Sequence, residues 1–253
     1  MIANYHTHSR WCGHAKGEIE DYITTAISEG FVELGITDHV PHRGDPDTHR
    51  MPWADFQPFN RALDSAIAKY GDKISLIKGF ECEYMKERMD DYHMFREEYG
   101  YRIMSLGHHN VGPDHSIFMF ARNKPDYAVR LYADEVCEGL ETGFFDFLAH
   151  PDLLLMNYEP GFDSECERSL RQIFSCCEKL HIPVEINGAG YVGGRAYPSK
   201  EAFELSREYD LIYMINMDSH DPILLTKPYT SRVEAFAAGL GIKPVERYFG
   251  STD

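Results

Sequence analysis

Nine residues of metal-ligand type, His6, His8, His14, His39, Glu81, His109, His150, Asp218 and His220, recur along the 253-residue chain just after segments that read as β-strands. Histidine and carboxylate without thiolate suit Zn²⁺, Mn²⁺ and Fe²⁺ alike. One zinc takes only three or four protein ligands, so a set this large implies two to three divalent ions. In Tyr5-His6-Thr7-His8 alternate residues of an extended segment point the same way, so both imidazoles can approach one ion. Glu81 is the only carboxylate in the middle of the set and the natural bridge between two ions. Two ions roughly 3.5–4 Å apart can share a bridging hydroxide as nucleophile and clamp the oxygens of an in-line displacement, which is the chemistry of phosphate-ester hydrolysis. Taken singly, any of these histidines is more often a hydrogen-bonded or packing residue than a ligand. Packing does not explain their joint placement.

Such groups need elements that bring strand ends together. Strand candidates lie at 2–6, 33–37, 74–80, 101–107, 144–149, 182–187 and 211–217. Helical patterns lie between them at 17–29, 54–70, 90–99, 125–141, 164–180, 199–209 and 229–238. Gly30 reads as a helix stop, Ser164-Glu165-Cys166-Glu167 as a capping box, and Ser199 opens a further helix. This alternation predicts a parallel sheet with helices outside it. Seven units predict a barrel one short of the usual eight, with an open doubly wound sheet as the alternative. Loops that follow barrel strands share one rim, so ligand types after six of the seven strands predict a site on the C-terminal rim. The Pro- and charge-rich stretch 40–53 reads as a long loop over that rim, and no repeat or linker divides residues 1–253, so a single domain is expected.

The formal charge of -16 argues against long nucleic acids, which call for a basic stripe. Bound divalent ions would outweigh the two carboxylates of the set and leave the pocket positive, so an acidic chain can still take a small phosphorylated substrate. The N-terminus lacks the basic and apolar regions of a signal peptide, and no segment approaches the roughly 20 apolar residues of a membrane span. A cytoplasmic protein without membrane contact is expected. The six cysteines show no paired CxxC spacing and read as reduced thiols, with Cys176 and Cys177 packing a helix.

In order and spacing, His6-x-His8, Asp38-His39, Glu81, His109, His150-Pro151 and Asp218-x-His220 resemble the motifs of the polymerase and histidinol phosphatase (PHP) superfamily along the whole chain. Asn4-Tyr5-His6-Thr7-His8, Cys12-Gly13-His14-Ala15, His150-Pro151-Asp152, Glu185-Ile186-Asn187 and Tyr197-Pro198-Ser199 resemble its stand-alone histidinol-phosphatase branch. The resemblance implies a distorted (β/α)7 TIM-like barrel with all nine residues as metal ligands. It also implies hydrolysis of L-histidinol phosphate to histidinol and phosphate, a late step of histidine biosynthesis. Glu81, Asp218 and His39 are then expected to carry catalysis through the ions. His109 rather than His108 takes the ligand position, because Leu106-Gly107-His108-His109 matches the branch's Leu-Gly-x-His pattern. Departures lie around the ligands: Leu153-Leu154-Leu155-Met156-Asn157 stands where many relatives place a basic residue, and Gly188 where a serine or threonine is expected.

Arg195 is the leading phosphate-clamp candidate, since a guanidinium binds phosphate in a fork. His42, Arg43 and Arg50 in the 40–53 loop are further candidates for substrate contact, with His42 able to supply a proton to the leaving group. Asp38 is expected to orient a ligand. His108 is expected behind the site, facing substrate or in solvent, and Phe118-Met119-Phe120 is a possible pocket wall. Gly188-Ala189-Gly190-Tyr191-Val192-Gly193 fits GxGxxG, but no helix begins within it as a dinucleotide site requires, so it reads as a flexible rim loop. The function expected is a metal-dependent phosphomonoesterase of the histidinol-phosphatase type. The alternatives are a phosphodiesterase or nucleotide phosphatase of the same superfamily, and a non-catalytic metal-binding module.

Overall fold

The structure, a computed structural model, describes residues 1–44 and 49–249, so the 45–48 part of the expected rim loop lies outside the described residues. In chain order the strands are β1 (Ala3–Asn4), β2 (Glu33–Ile36), β3 (Ser75–Cys82), β4 (Ile103–Leu106), β5 (Asn110–Val111), β6 (Ile117–Phe118), β7 (Phe147–Leu148), β8 (Val184–Asn187) and β9 (Tyr213–Asn216). The helices are α1 (Ile19–Glu29), α2 (Phe56–Tyr70), α3 (Met89–Tyr99), α4 (Ala128–Glu141), α5 (Ser164–Leu180), α6 (Gly188–Val192), α7 (Lys200–Ser206) and α8 (Lys227–Gly239).

Seven strands pair in parallel in the order β1-β2-β3-β4-β7-β8-β9, nearly closing into the distorted barrel that strand–helix alternation leads one to expect. The alternative of an open doubly wound sheet is set aside by this sequential order, since a doubly wound sheet reverses direction at a switch point. Strands as short as two residues, such as β1 and β7, account for the distortion.

Where β1 meets β9, two buried asparagine side chains replace the backbone ladder. Asn4 Oδ1 accepts from the Met217 N–H at 2.6 Å, and Asn216 Oδ1 accepts from the Tyr5 N–H at 2.8 Å. Backbone pairing resumes above them, with His8 N–H donating to Ser219 O at 2.9 Å and Ser219 N–H to His6 O at 3.2 Å. This seam sets His6 and His8 beside Asp218 and His220.

Ala3, Tyr5, Ile77, Ile103, Phe147, Ala149 and Met214 fill the barrel, and Phe249 packs on them with its ring 4.9 Å from that of Tyr5. The larger core lies between strands and helices, where Phe80 of β3 stacks on Tyr101 at 4.4 Å and meets Phe95 of α3 edge-on at 4.9 Å. Both faces of the parallel sheet are covered, so β2 reads as a buried run rather than an alternating one.

Helix signals hold at Gly30, which ends α1 at φ 84, and at Ser199, whose hydroxyl accepts from the Ala202 N–H at 3.0 Å. The start of α5 differs by one residue from the expected capping box. Asp163 is the cap, accepting from the N–H groups of Glu165 and Cys166 at 3.1 and 2.9 Å, because a carboxylate suits the positive end of a helix better than a hydroxyl. The Gly188–Gly193 stretch is not a flexible loop either. It forms α6, capped by Asn187, and a Cβ on Gly190 would lie 2.3 Å from Tyr197 O, so this glycine is required by packing. Among the described residues no helix is long and apolar enough to cross a membrane.

Candidate metal centre

The structure brings the nine residues together where the strands end. Glu81 occupies the centre, near the C-terminal end of β3 and bridged to His39. Its Oε2 lies 3.0 Å from His39 Nδ1, 3.3 Å from His6 Nε2 and 3.3 Å from His8 Nε2. Its Oε1 faces a second set, 2.8 Å from His150 Nε2 and 3.7 Å from His109 Nε2. Gly107 makes room for that carboxylate, since a Cβ there would meet Glu81 Oε1 at 1.9 Å. Asp218 Oδ1 closes the first set at 3.2 Å from His8 Nε2 and 3.5 Å from His6 Nε2.

Towards the outside, His14 and His220 bring their Nε2 atoms to 3.0 Å of each other. Their Nδ1–H groups donate to the carbonyls of Cys12 and Asp218 at 3.1 and 3.0 Å, which leaves the two Nε2 atoms facing each other. Two facing imidazole nitrogens at that distance need a shared proton or a metal cation between them. Nitrogens bound to one zinc at about 2.0–2.1 Å stand at a similar separation. His6 Nε2 and both nitrogens of His8 are buried without a hydrogen-bond partner, which a bound ion would relieve. The donor set is that of a divalent-metal centre.

The electrostatics agree. Burial disfavours the charged form of every ring here, yet the fields of Glu185, Asp218 and Glu81 raise His6 well above its ordinary pKa. Burial is overcome in the same way at His8, by Asp218, Cys12 and Glu81, and at His150, chiefly by Glu81. Burial prevails at His39 and His220, which fall to about 4 and about 3. Protons on the first three rings thus balance the carboxylates where ions would otherwise do so, and metal must displace them. Affinity is therefore expected to rise with pH between 6 and 8, by roughly tenfold per unit for each proton released. Calorimetric titrations in buffers of different ionisation enthalpy count those protons, and an affinity independent of pH over this range would contradict the expectation.

A family model described as PHP domain matches residues 4–189. The chain belongs to the PHP domain family. A relative in Schizosaccharomyces pombe named "Probable histidinol-phosphatase" is 26% identical, the match covering 88% of this chain and 81% of that one. A Listeria monocytogenes structure described as a "putative histidinol phosphatase" superposes with a TM-score of 0.76 at 20% identity, covering 90% of this chain and 99% of that one. The histidinol phosphate phosphatase of Lactococcus lactis, complexed with Zn, L-histidinol and phosphate, gives 0.72 at 16% identity, covering 96% and 95%.

In this PHP barrel β8 is the strand whose end bears none of the nine residues, yet it supports them. Glu185, fully buried, accepts from His6 Nδ1–H at 2.8 Å and from the His150 N–H at 2.9 Å. Asn187 donates to Glu185 at 2.8 Å and to Asp218 Oδ2 at 3.1 Å. His150 and Asp218 have positive φ, 31 and 45, a left-handed backbone that costs on the order of 1–3 kcal/mol each in a residue with a side chain. The bonds from Glu185 and Asn187 help hold both in place. The Glu185-Ile186-Asn187 motif was the visible trace of this role. Asp38 likewise braces the first loop, accepting from Ser9 N–H at 2.8 Å and Ser9 Oγ–H at 2.9 Å, while burial raises its pKa to about 7.

The remaining candidates are divided. Arg195 lies at the mouth, its guanidinium 5.6 Å from the Phe120 ring centre and its Nη1–H donating to Tyr197 Oη at 2.6 Å. Those two rings in turn flank the ligands, Phe120 at 5.7 Å from His109 and Tyr197 at 5.8 Å from His150. Phe118 is half exposed on the β5–β6 hairpin and extends this aromatic wall, 5.3 Å from Phe120. His42 is not brought to the cluster: it is buried, with Nε2 3.0 Å from Tyr92 Oη and Nδ1 3.4 Å from Arg50. Arg43 turns outward, donating to Asp91 at 2.9 Å and stacking on Trp53. Arg50 lies 3.8 Å from Glu83, a carboxylate that itself lies 3.8 Å from His109 Nδ1. His108 is buried behind the site with Nε2 2.8 Å from Glu135. Lys124 donates to Met156 O, which places a cation beside the segment that lacks a basic residue of its own.

Proposed function

We propose that the protein is a divalent-metal-dependent phosphomonoesterase that hydrolyses L-histidinol phosphate to L-histidinol and phosphate. One observation carries the reaction class: the two oxygens of Glu81 face two separate sets of histidines, so one carboxylate can serve two neighbouring ions. The names of the relatives, and the histidinol and phosphate bound by the Lactococcus protein, support the substrate. Two to three ions of zinc, manganese or iron fit the donors. His6, His8, Glu81 and Asp218 would hold one, Glu81, His109 and His150 a second, and His14, His39 and His220 a third. When bound, such ions activate water near neutral pH and stabilise charge on phosphoryl oxygens.

The chain's own residues do the rest. Glu81 would be shared by two ions and Asp218 would complete the first of them, while Glu185 fixes the direction of the His6 ring. Arg195 stands at the opening, where a fork of N–H donors can meet a phosphate oxygen, while Phe120 and Tyr197 keep water from that side of the ligands. Arg195→Ala is expected to raise KM about tenfold or more with a smaller change in kcat, as loss of a charge-assisted bond worth about 1.5–3 kcal/mol would do. Steady-state kinetics give the split directly, and an unchanged KM would remove Arg195 from the substrate site.

Phosphate release from histidinol phosphate, measured beside p-nitrophenyl phosphate and bis-p-nitrophenyl phosphate with Mn²⁺ or Zn²⁺, tests the assignment. Release from histidinol phosphate, abolished by a chelator, is the expected result. Turnover of the simple monoester alone would leave the reaction class and overturn the substrate. Preference for the diester would favour the phosphodiesterase alternative.

A further inference from the structure

We propose that Cys12 is an additional ligand of the outer ion, binding it as a thiolate beside His14 and His220. The ligand atoms of Cys12, His14 and His220 all lie within 4.8 Å of one another. The single helical turn Arg10–Cys12, capped by Ser9 and ended by Gly13 at φ 85, reverses the chain so that residues 12 and 14 serve the same place. Cys12 is fully buried. A His8 nitrogen and an Asp38 oxygen form a second such group with the same sulfur. His8 is itself fully buried, and neither of its nitrogens has a hydrogen-bond partner. The thiol thus belongs to two sets of metal-ligand groups rather than to an apolar cluster alone. Among the described residues, no other cysteine belongs to a group of this kind.

On binding, the S–H proton passes to solvent and the sulfur donates an electron pair to the ion. The chemical consequence is unequal metal preference across one site. The positions built on Glu81 offer only nitrogen and oxygen, which suit zinc, manganese or iron. The outer position gains a soft donor, which favours zinc over manganese.

The inference rests on the metal-centre reading above, and its tests separate the two. The full chain loaded with Co²⁺ is expected to show a near-ultraviolet sulfur-to-cobalt charge-transfer band that Cys12→Ser lacks while keeping the wild-type circular dichroism. Cys12→Ser is also expected to retain one zinc equivalent at least about tenfold more weakly. X-ray absorption at the zinc edge of the wild-type protein needs no variant, and should reveal a sulfur neighbour at about 2.3 Å. A shell of nitrogen and oxygen alone, or a cobalt band unchanged in Cys12→Ser, would overturn the role of Cys12 and leave a metal-dependent phosphatase standing. A chain that takes up no metal in any of these experiments would overturn both readings.

Discussion

Glu81→Ala is expected to reduce kcat on any phosphomonoester by at least about a thousandfold and to release bound metal. The magnitude follows from the position of the side chain. Its two oxygens reach five histidines between them, at 2.8 to 3.7 Å, so its loss removes the shared anion of two ion positions at once. Removing even one preorganised charge-stabilising group commonly costs 10²–10³ in rate, roughly 3–4 kcal/mol. The substitution should also destabilise the metal-free protein, because a protonated His150 would lose its main counter-charge and protonated His6 and His8 one of several. Glu81→Gln keeps the volume and separates the two effects. With its fold intact by circular dichroism, it should still be inactive and depleted of metal by elemental analysis. Wild-type turnover in that variant would remove Glu81 from the mechanism, whereas a metal-loaded wild-type protein inactive on every phosphoester would return the non-catalytic metal-module reading.

Glu185 touches none of the positions where ions would bind, and its replacement is nevertheless expected to be nearly as damaging. The carboxylate fixes the His6 ring through Nδ1–H and the His150 backbone through its N–H, and it holds Asn187, which reaches Asp218. Loss of such a partner usually weakens metal affinity by 10–100-fold, because the ligand ring loses both its orientation and its basicity. In Glu185→Ala the stranded N–H groups add roughly 1–3 kcal/mol of instability each, since no water reaches a site with no exposure. Glu185→Gln preserves volume and one acceptor and should show the affinity loss with less unfolding. Metal retained after dialysis, read beside melting temperature in chelator, distinguishes positioning from stability. If Glu185→Gln held metal as tightly as the wild type, His6 would have to be oriented by something else.

Much of this was legible in the chain before folding. Period-3.6 and apolar-run patterns located all seven barrel strands and every helix but α6, since each is fixed by burial of its own face. The ligand types were legible because they stand directly after those strands. The supporting residues were less so. Glu185 and His6 are 179 positions apart and meet only because β8 and β1 share a barrel. The β5–β6 hairpin was not legible, because it is an antiparallel pair inside the β4–α4 connection with no α-helix between its strands to complete the alternation. The 40–53 loop misled in the opposite sense: charged residues near a site suggest substrate contacts, whereas His42 is drawn inward by Tyr92 and Arg43 outward by Asp91. Cys12 read as one more reduced thiol because, although His14 stands two positions away, His220 joins them only in the fold.

The asparagine-bridged seam between β1 and β9 gives the ions a topological part. Without them the barrel is a ribbon rolled up until its two edges touch, held there by a few hydrogen bonds between residues more than 200 positions apart. An ion that takes ligands from His6 and His8 on one edge and Asp218 on the other turns that ribbon into a ring. A permanent cross-link over such a span would restrict the unfolded chain by about 5 kcal/mol. Metal bound there would be a clasp as well as a reagent, and the same ions that would meet phosphate would decide whether the ribbon has ends.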